Sequence, residues 1–96
     1  MKQNKINKKF VYLISPDKIK DEKFYTTLAL ILNSGKVSFF QLRIKKETDL
    51  NKLIIGRKIK KICQKYKVKF LINDDPLLAK KLNADGCHLG QKDMDL

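Results

Sequence analysis

Residues 70–93 read FLINDDPLLAKKLNADGCHLGQKD. The apolar run from Phe70 stops at Asn73-Asp74-Asp75, a short helical segment follows, and a second small run ends in His88-Leu89-Gly90-Gln91 with the carboxylate of Asp93 just beyond. Two strand patterns joined by one helical pattern form a β-α-β unit, in which the crossover makes the strands parallel. Parallel sheets keep their chemistry-bearing groups at the carboxyl ends of the strands, in barrels and open sheets alike. Asp74 and Asp93 each follow one of two successive strands, so they are expected close together although nineteen positions apart.

The same alternation extends toward the N-terminus. Phe10 to Ile14 is a continuous apolar run closed by Ser15-Pro16-Asp17, the pattern of a strand buried on both faces. Lys20 to Ser34 carries Phe24, Leu28, Ile31 and Leu32 at helical spacing, with Gly35 as its stop. Lys36 to Leu42 reads as a second strand. Thr48-Asp49 is placed to cap a long helix from about Leu50 to Tyr66, with Leu53, Ile54, Ile59, Ile62 and Tyr66 on its inner side. Val68 to Ile72 is a third strand, Pro76 opens a helix over Leu77 to Leu82, and Asp85 to Leu89 is a fourth, short strand. The order β-α-β-α-β-α-β predicts an α/β fold with a parallel sheet and right-handed crossovers. Met1 to Lys9 reads as a polar leader, and residues 10–96 as one domain.

Composition narrows the function classes. The chain has 96 residues, 43% of them hydrophobic, enough for one small core. Its apolar run Leu28 to Leu32, which no other exceeds, is far short of the ~20 residues of a membrane span. No apolar stretch follows the basic leader as a secretion signal requires, so a soluble cytoplasmic protein is expected. Cys63 and Cys87 fit no zinc spacing and read as reduced structural thiols. The net charge of +12 invites a nucleic-acid reading. Against it, only Arg43 and Arg57 among the 22 basic residues are arginine, the residue that bidentate and base-reading sites favour. The lysines are spread over the N-terminus and the helix faces, and Lys, Ile and Asn together match A/T-rich coding. A solvated basic surface, or a site for a small anion, accounts for the charge better than nucleic acid does.

Four short segments stand just after the strands: Ser15-Pro16-Asp17; Gln41, Arg43 and Lys45; Asn73-Asp74-Asp75; and His88, Gln91 and Asp93. At strand period Gln41, Arg43 and Lys45 share a face, where Arg43 can grip a phosphate bidentately and Lys45 adds a point charge. The alternative is a solvated loop. Asp74 and Asp93 beside such cations suit Mg²⁺, which takes one or two protein carboxylates and completes its shell with water and phosphate oxygens. Here too a plainer reading exists, with Asp74 a helix cap and Asp93 a tail residue. Asp75 is expected to cap the helix opened by Pro76, and His88, the single histidine, reads as a hydrogen-bonded structural residue. No dinucleotide fingerprint, P-loop, paired CxxC or nucleophile elbow is present.

VYLIS (residues 11–15), QLRIK (41–45), LINDD (71–75) and ADGCHLGQKD (84–93), in this order and spacing, resemble the thiamine-phosphate synthase (thiamine-phosphate pyrophosphorylase) family. That family's pattern runs from a first strand ending near Thr/Ser-Asp through QLRxK and IND to DGxHLGQxD. The resemblance implies the first half of a (β/α)8 TIM barrel and a reaction that joins hydroxymethylpyrimidine diphosphate to thiazole phosphate, releasing pyrophosphate. Carbon–oxygen cleavage comes first, and the thiazole nitrogen attacks the resulting pyrimidine-stabilised cation. By position, Gln41, Arg43, Lys45 and Asn73 match residues that hold the pyrimidine diphosphate. Arg43 and Lys45 also neutralise its developing charge, and Asp74 and Asp93 match Mg²⁺ ligands.

The sequence departs from the pattern at Asp75, where the family often has Arg, and at Cys87, commonly Val. A full barrel takes roughly 200 to 250 residues, so this chain is expected to be a fragment or truncated product, or to close by pairing with another half. Two other readings compete. A related thiazole tautomerase shares the fold but has no use for a diphosphate site. A non-catalytic remnant, or a basic module for RNA or a partner chain, predicts Mg²⁺-independent binding with a steep salt dependence.

Overall fold

A computed structural model describes residues 11–89. The leader over residues 1–9 therefore lies outside the described residues, as do Phe10, Gln91 and Asp93. Seven elements alternate: β1 (Tyr12–Ile14), α1 (Lys23–Leu32), β2 (Phe39–Leu42), α2 (Asp49–Lys65), β3 (Lys69–Asn73), α3 (Pro76–Leu82) and β4 (Gly86–His88). The strands form one sheet in the order β1-β2-β3-β4, every pair parallel, as the β-α-β reading requires. Among the described residues no helix is long and apolar enough to cross a membrane.

Local chemistry sets the starts of α2 and α3 within a residue of where the sequence placed them, whereas α1 is shorter at both ends than the Lys20 to Ser34 pattern. Thr48 caps α2, its Oγ1 accepting from the Asn51 N–H at 3.1 Å. Asp75 caps α3, its Oδ1 accepting from the Leu78 N–H at 3.0 Å, and Pro76 occupies the first turn, where its missing N–H costs nothing. Gly35 stops the α1 segment with φ at +77°, a conformation glycine adopts without a Cβ penalty.

One face of the sheet carries the core. Register places Leu13 beside Phe40 and Phe70, and Leu42 beside Ile72. These side chains pack with Leu28 and Leu32 of α1, Ile59 and Cys63 of α2, and Leu78 and Leu82 of α3. The opposite face, with Tyr12, Ile14, Phe39, Lys69 and Leu71 in register, has no helix over it among the described residues. The expectation that the first strand is buried on both faces is therefore corrected: Tyr12 is 57% and Ile14 50% exposed. Continuous apolar character records that both faces of a strand can be covered; it does not say which face this stretch of chain covers.

A second correction concerns α2. Ile54 is 44% exposed, and the fully buried positions are Gly56, Ile59 and Cys63. The helix turns its glycine inward because α3 approaches closely there. A Cβ on Gly56 would lie 2.3 Å from Leu82 Cδ1. At the other end of the sheet Asp85 bridges β3 and β4: its Oδ2 accepts from the Phe70 N–H at 2.7 Å and its own N–H donates to the Phe70 carbonyl at 2.8 Å. Phe70 is almost fully buried, so this carboxylate satisfies an amide that water does not reach.

Candidate active site at the strand carboxyl ends

The carboxyl ends of β1 and β2 are tied together beyond the regular ladder. The Ser15 N–H donates to the Gln41 carbonyl at 3.0 Å, the Arg43 N–H donates to Ser15 Oγ at 2.8 Å, and the Lys45 N–H donates to the Asp17 carbonyl at 2.9 Å. Three residues of the QLRIK segment thus have their backbones held by the Ser15-Pro16-Asp17 turn. Lys46, with φ at +58°, then carries the chain away toward α2.

From the next connection, Asp74 adopts the left-handed conformation at φ +55°, which Asp and Asn tolerate better than most residues. Its N–H donates to the His88 carbonyl at 2.7 Å, joining the ends of β3 and β4. The Asn73 amide donates to Asp74 Oδ2 at 3.4 Å. The two neighbouring carboxylates thus have different duties. Asp75 caps α3 and lies 3.9 Å from the Lys52 ammonium.

These groups line a pocket of about 140 Å³ between the ends of β2 and β3 and the helices that follow them. Its polar wall is Lys45, Lys52, Asn73, Asp74 and Asp75, over an apolar floor that includes Leu42 and Ile72. Two ammonium groups, an amide and two carboxylates suit an anionic ligand carried with a divalent cation. The structure brings Lys45, Asn73 and Asp74 together there, and Gln41 and Arg43 are not part of that lining. Regular pairing ends at Leu42, and the consecutive Ile44 and Lys45 both line the pocket. Gln41 is 7% exposed on the sheet face away from the helices, in register with Ile14 and Leu71. Arg43 is half-buried, and its Nε is shielded from solvent with no hydrogen-bond partner among the described residues. A buried guanidinium N–H left in that state is one that a ligand oxygen can satisfy.

Asp93 lies outside the described residues, so the expected Asp74–Asp93 pair is represented by Asp74 alone. Among the described residues no group of three or more His, Cys, Asp or Glu side chains could hold a metal ion. Oxygen donors of this kind fit a hard cation that keeps most of its shell in water and substrate, so the residues present are compatible with Mg²⁺. His88 is exposed, and its backbone carbonyl makes the bond to Asp74. The cysteines are free; Cys63 is completely buried and Cys87 half-buried. Burial pushes the Cys63 thiol up to about 12, with the charge of Asp85 adding to the effect. Sequence reasoning passed over Lys52. The signal was present, because a residue in the first turn of a crossover helix lies above the strand end that leads into it.

The model of the family described as thiamine monophosphate synthase matches residues 11–96. The chain is 84% identical over 96 residues to the thiamine-phosphate synthase of Pelagibacter ubique, covering 100% of this chain and 46% of that protein. A Campylobacter jejuni thiamine-phosphate synthase is 41% identical over 86 residues, covering 88% of this chain and 40% of that protein. Among solved structures, thiamine phosphate pyrophosphorylase from Pyrococcus furiosus superposes with a TM-score of 0.74 at 27% identity, over 88% of this chain and 41% of that one. The chain thus spans about half the length of the curated relatives it matches.

Proposed function

The chain belongs to the thiamine monophosphate synthase family, and from that premise we propose that it supplies the pyrimidine-diphosphate side of a thiamine-phosphate synthase site. The overall reaction in this reading transfers the hydroxymethylpyrimidine group from its diphosphate to the thiazole phosphate nitrogen, with pyrophosphate as the leaving group. The observation that carries the reading is the convergence of Lys45, Asn73 and Asp74, from two successive strand ends, on one pocket. In a complete (β/α)8 barrel these strand ends form half of the rim.

Arg43 and Lys45 hold the diphosphate and neutralise the charge that grows on it as the carbon–oxygen bond breaks, which is where electrostatic catalysis acts. Arg43 suits this role through its fork of donors, one of which is already desolvated in the free chain. Gln41 and Asn73 bind and orient the pyrimidine diphosphate through their amides. Asp74, with Asp93, would hold Mg²⁺, which supplies further positive charge to the departing diphosphate.

Calorimetric titration with hydroxymethylpyrimidine diphosphate, with and without Mg²⁺, tests this reading. Saturable, Mg²⁺-dependent binding that falls at least tenfold in Arg43→Ala is expected. Mg²⁺-independent binding that weakens steeply with salt would identify a general polyanion surface instead. The coupling assay with thiazole phosphate belongs to a chain extended to the length of the relatives.

A further inference from the structure

The Ser15-Pro16-Asp17 turn does more than end β1. A strand that continued past Ile14 would offer a backbone carbonyl to each next amide of β2. At Arg43 that rung is made by a side chain instead. The hydroxyl of Ser15 takes the missing place: it accepts from the Arg43 N–H at 2.8 Å and donates to the Pro16 carbonyl at 3.1 Å. The next rung is the Lys45 N–H on the Asp17 carbonyl at 2.9 Å. Ser15 is 6% exposed, so water does not replace its oxygen readily.

We propose that Ser15 is a positioning residue for the cationic strand end. Its hydroxyl fixes the Arg43 backbone, and with it the presentation of Arg43 and Lys45 to an anionic diphosphate. The inference rests on the proposed diphosphate cradle and adds to it a residue that touches no ligand. A side-chain rung at Ser15 followed by a backbone rung at Asp17 keeps the β2 end held past its last regular ladder residue. The two cations then start from fixed Cα positions and give up less freedom when they close on a ligand.

The test uses inorganic pyrophosphate with Mg²⁺ as the probe, and amide hydrogen exchange as a second readout. Ser15→Ala is expected to weaken pyrophosphate binding roughly tenfold, the change that 1.4 kcal/mol corresponds to. Ser15→Thr keeps the oxygen, and an apolar cavity of about 100 Å³ beside Ser15 leaves space for its methyl group. It is expected to bind within about twofold of the unmodified chain, a rescue that restored Oγ chemistry alone explains. In the unmodified chain the Arg43 amide should exchange as slowly as a ladder amide, although it lies beyond the last residue of β2. In Ser15→Ala it should exchange at least about tenfold faster, with the Phe70 amide unchanged.

Unchanged pyrophosphate affinity in Ser15→Ala, alongside loss in Arg43→Ala, overturns the positioning role and leaves the cradle standing. An unmodified chain that does not bind pyrophosphate overturns the cradle and this inference with it. A fast-exchanging Arg43 amide in the unmodified chain refutes the inference without any ligand, and needs no variant to fold.

Discussion

Asp74 and Asp75 are adjacent in the chain, and the structure assigns them separate work that two substitutions can separate. Asp75→Ala removes the acceptor of the Leu78 N–H, a 3.0 Å bond at the start of a helix of only seven residues. Loss of such a cap costs about 1 kcal/mol. The Lys52–Asp75 pair is 3.9 Å long, with side chains 22% and 35% exposed, and adds at most about 0.5–1 kcal/mol after solvent screening. Together the loss is about 1–2 kcal/mol, a fall in Tm of roughly 4–16 °C for a domain of this size. Asp75→Asn keeps a good cap and loses only the charge, so it should stay within about 1 kcal/mol of the parent. Asp74→Asn is the matching change at the pocket. At φ +55° Asn is well tolerated, whereas Ala would add a left-handed strain of roughly 1–2 kcal/mol and confuse the result. Asp74→Asn should leave Tm nearly unchanged and weaken Mg²⁺-dependent diphosphate binding at least about tenfold. Urea and thermal unfolding without Mg²⁺ give the first quantity, and calorimetry with Mg²⁺ the second. If Asp75→Ala unfolds with the parent, or if Asp75→Ala loses the Mg²⁺ response and Asp74→Asn keeps it, the division of labour is wrong.

Two further changes report on the core. Gly56→Ala gains roughly 1 kcal/mol of helix propensity but drives a methyl group to 2.3 Å from Leu82 Cδ1, and Leu82, 3% exposed, cannot move without disturbing the core. Overpacking of this kind costs about 1–3 kcal/mol, so a net fall in Tm of a few degrees is expected, and a rise would refute the close α2–α3 approach. The Cys63 thiol, pushed up to about 12 by burial, stays protonated in the folded chain at pH values where the unfolded thiol ionises. The folded state then binds more protons, so this contribution to stability is complete below about pH 8.5 and declines as pH rises from there toward about 12. In urea melts the alkaline slope should be shallower in Cys63→Ala; identical slopes would count against a buried neutral thiol.

What was legible in the sequence was local or periodic. Thr48 and Asp75 were read as caps because a cap is made by a side chain and an amide three residues away. The parallel sheet was legible because each strand pattern was followed by one helical pattern. Ile54 was misassigned because an isoleucine looks buried wherever it stands, while the partner helix selects the face, and the close approach at Leu82 selected Gly56. The roles of Ser15 and Asp85 were hidden for a related reason. Their partners, Arg43 and Phe70, lie on other strands, and no spacing rule links them.

The amino-acid order by itself determined four parallel strands, three crossover helices, their caps and the set of polar residues gathered at one end of the sheet. Those are consequences of hydrophobic period, backbone preferences and short-range hydrogen bonds, all contained within a few neighbouring residues. Only the tertiary structure decided that one sheet face is covered, that Lys45 enters the pocket without Gln41 and Arg43, and that Lys52 and Asp74 meet there. It also decided that the Ser15 hydroxyl stands in for a backbone carbonyl. The physical reason is that burial, pocket walls and hydrogen bonds across strands are set by where distant segments pack.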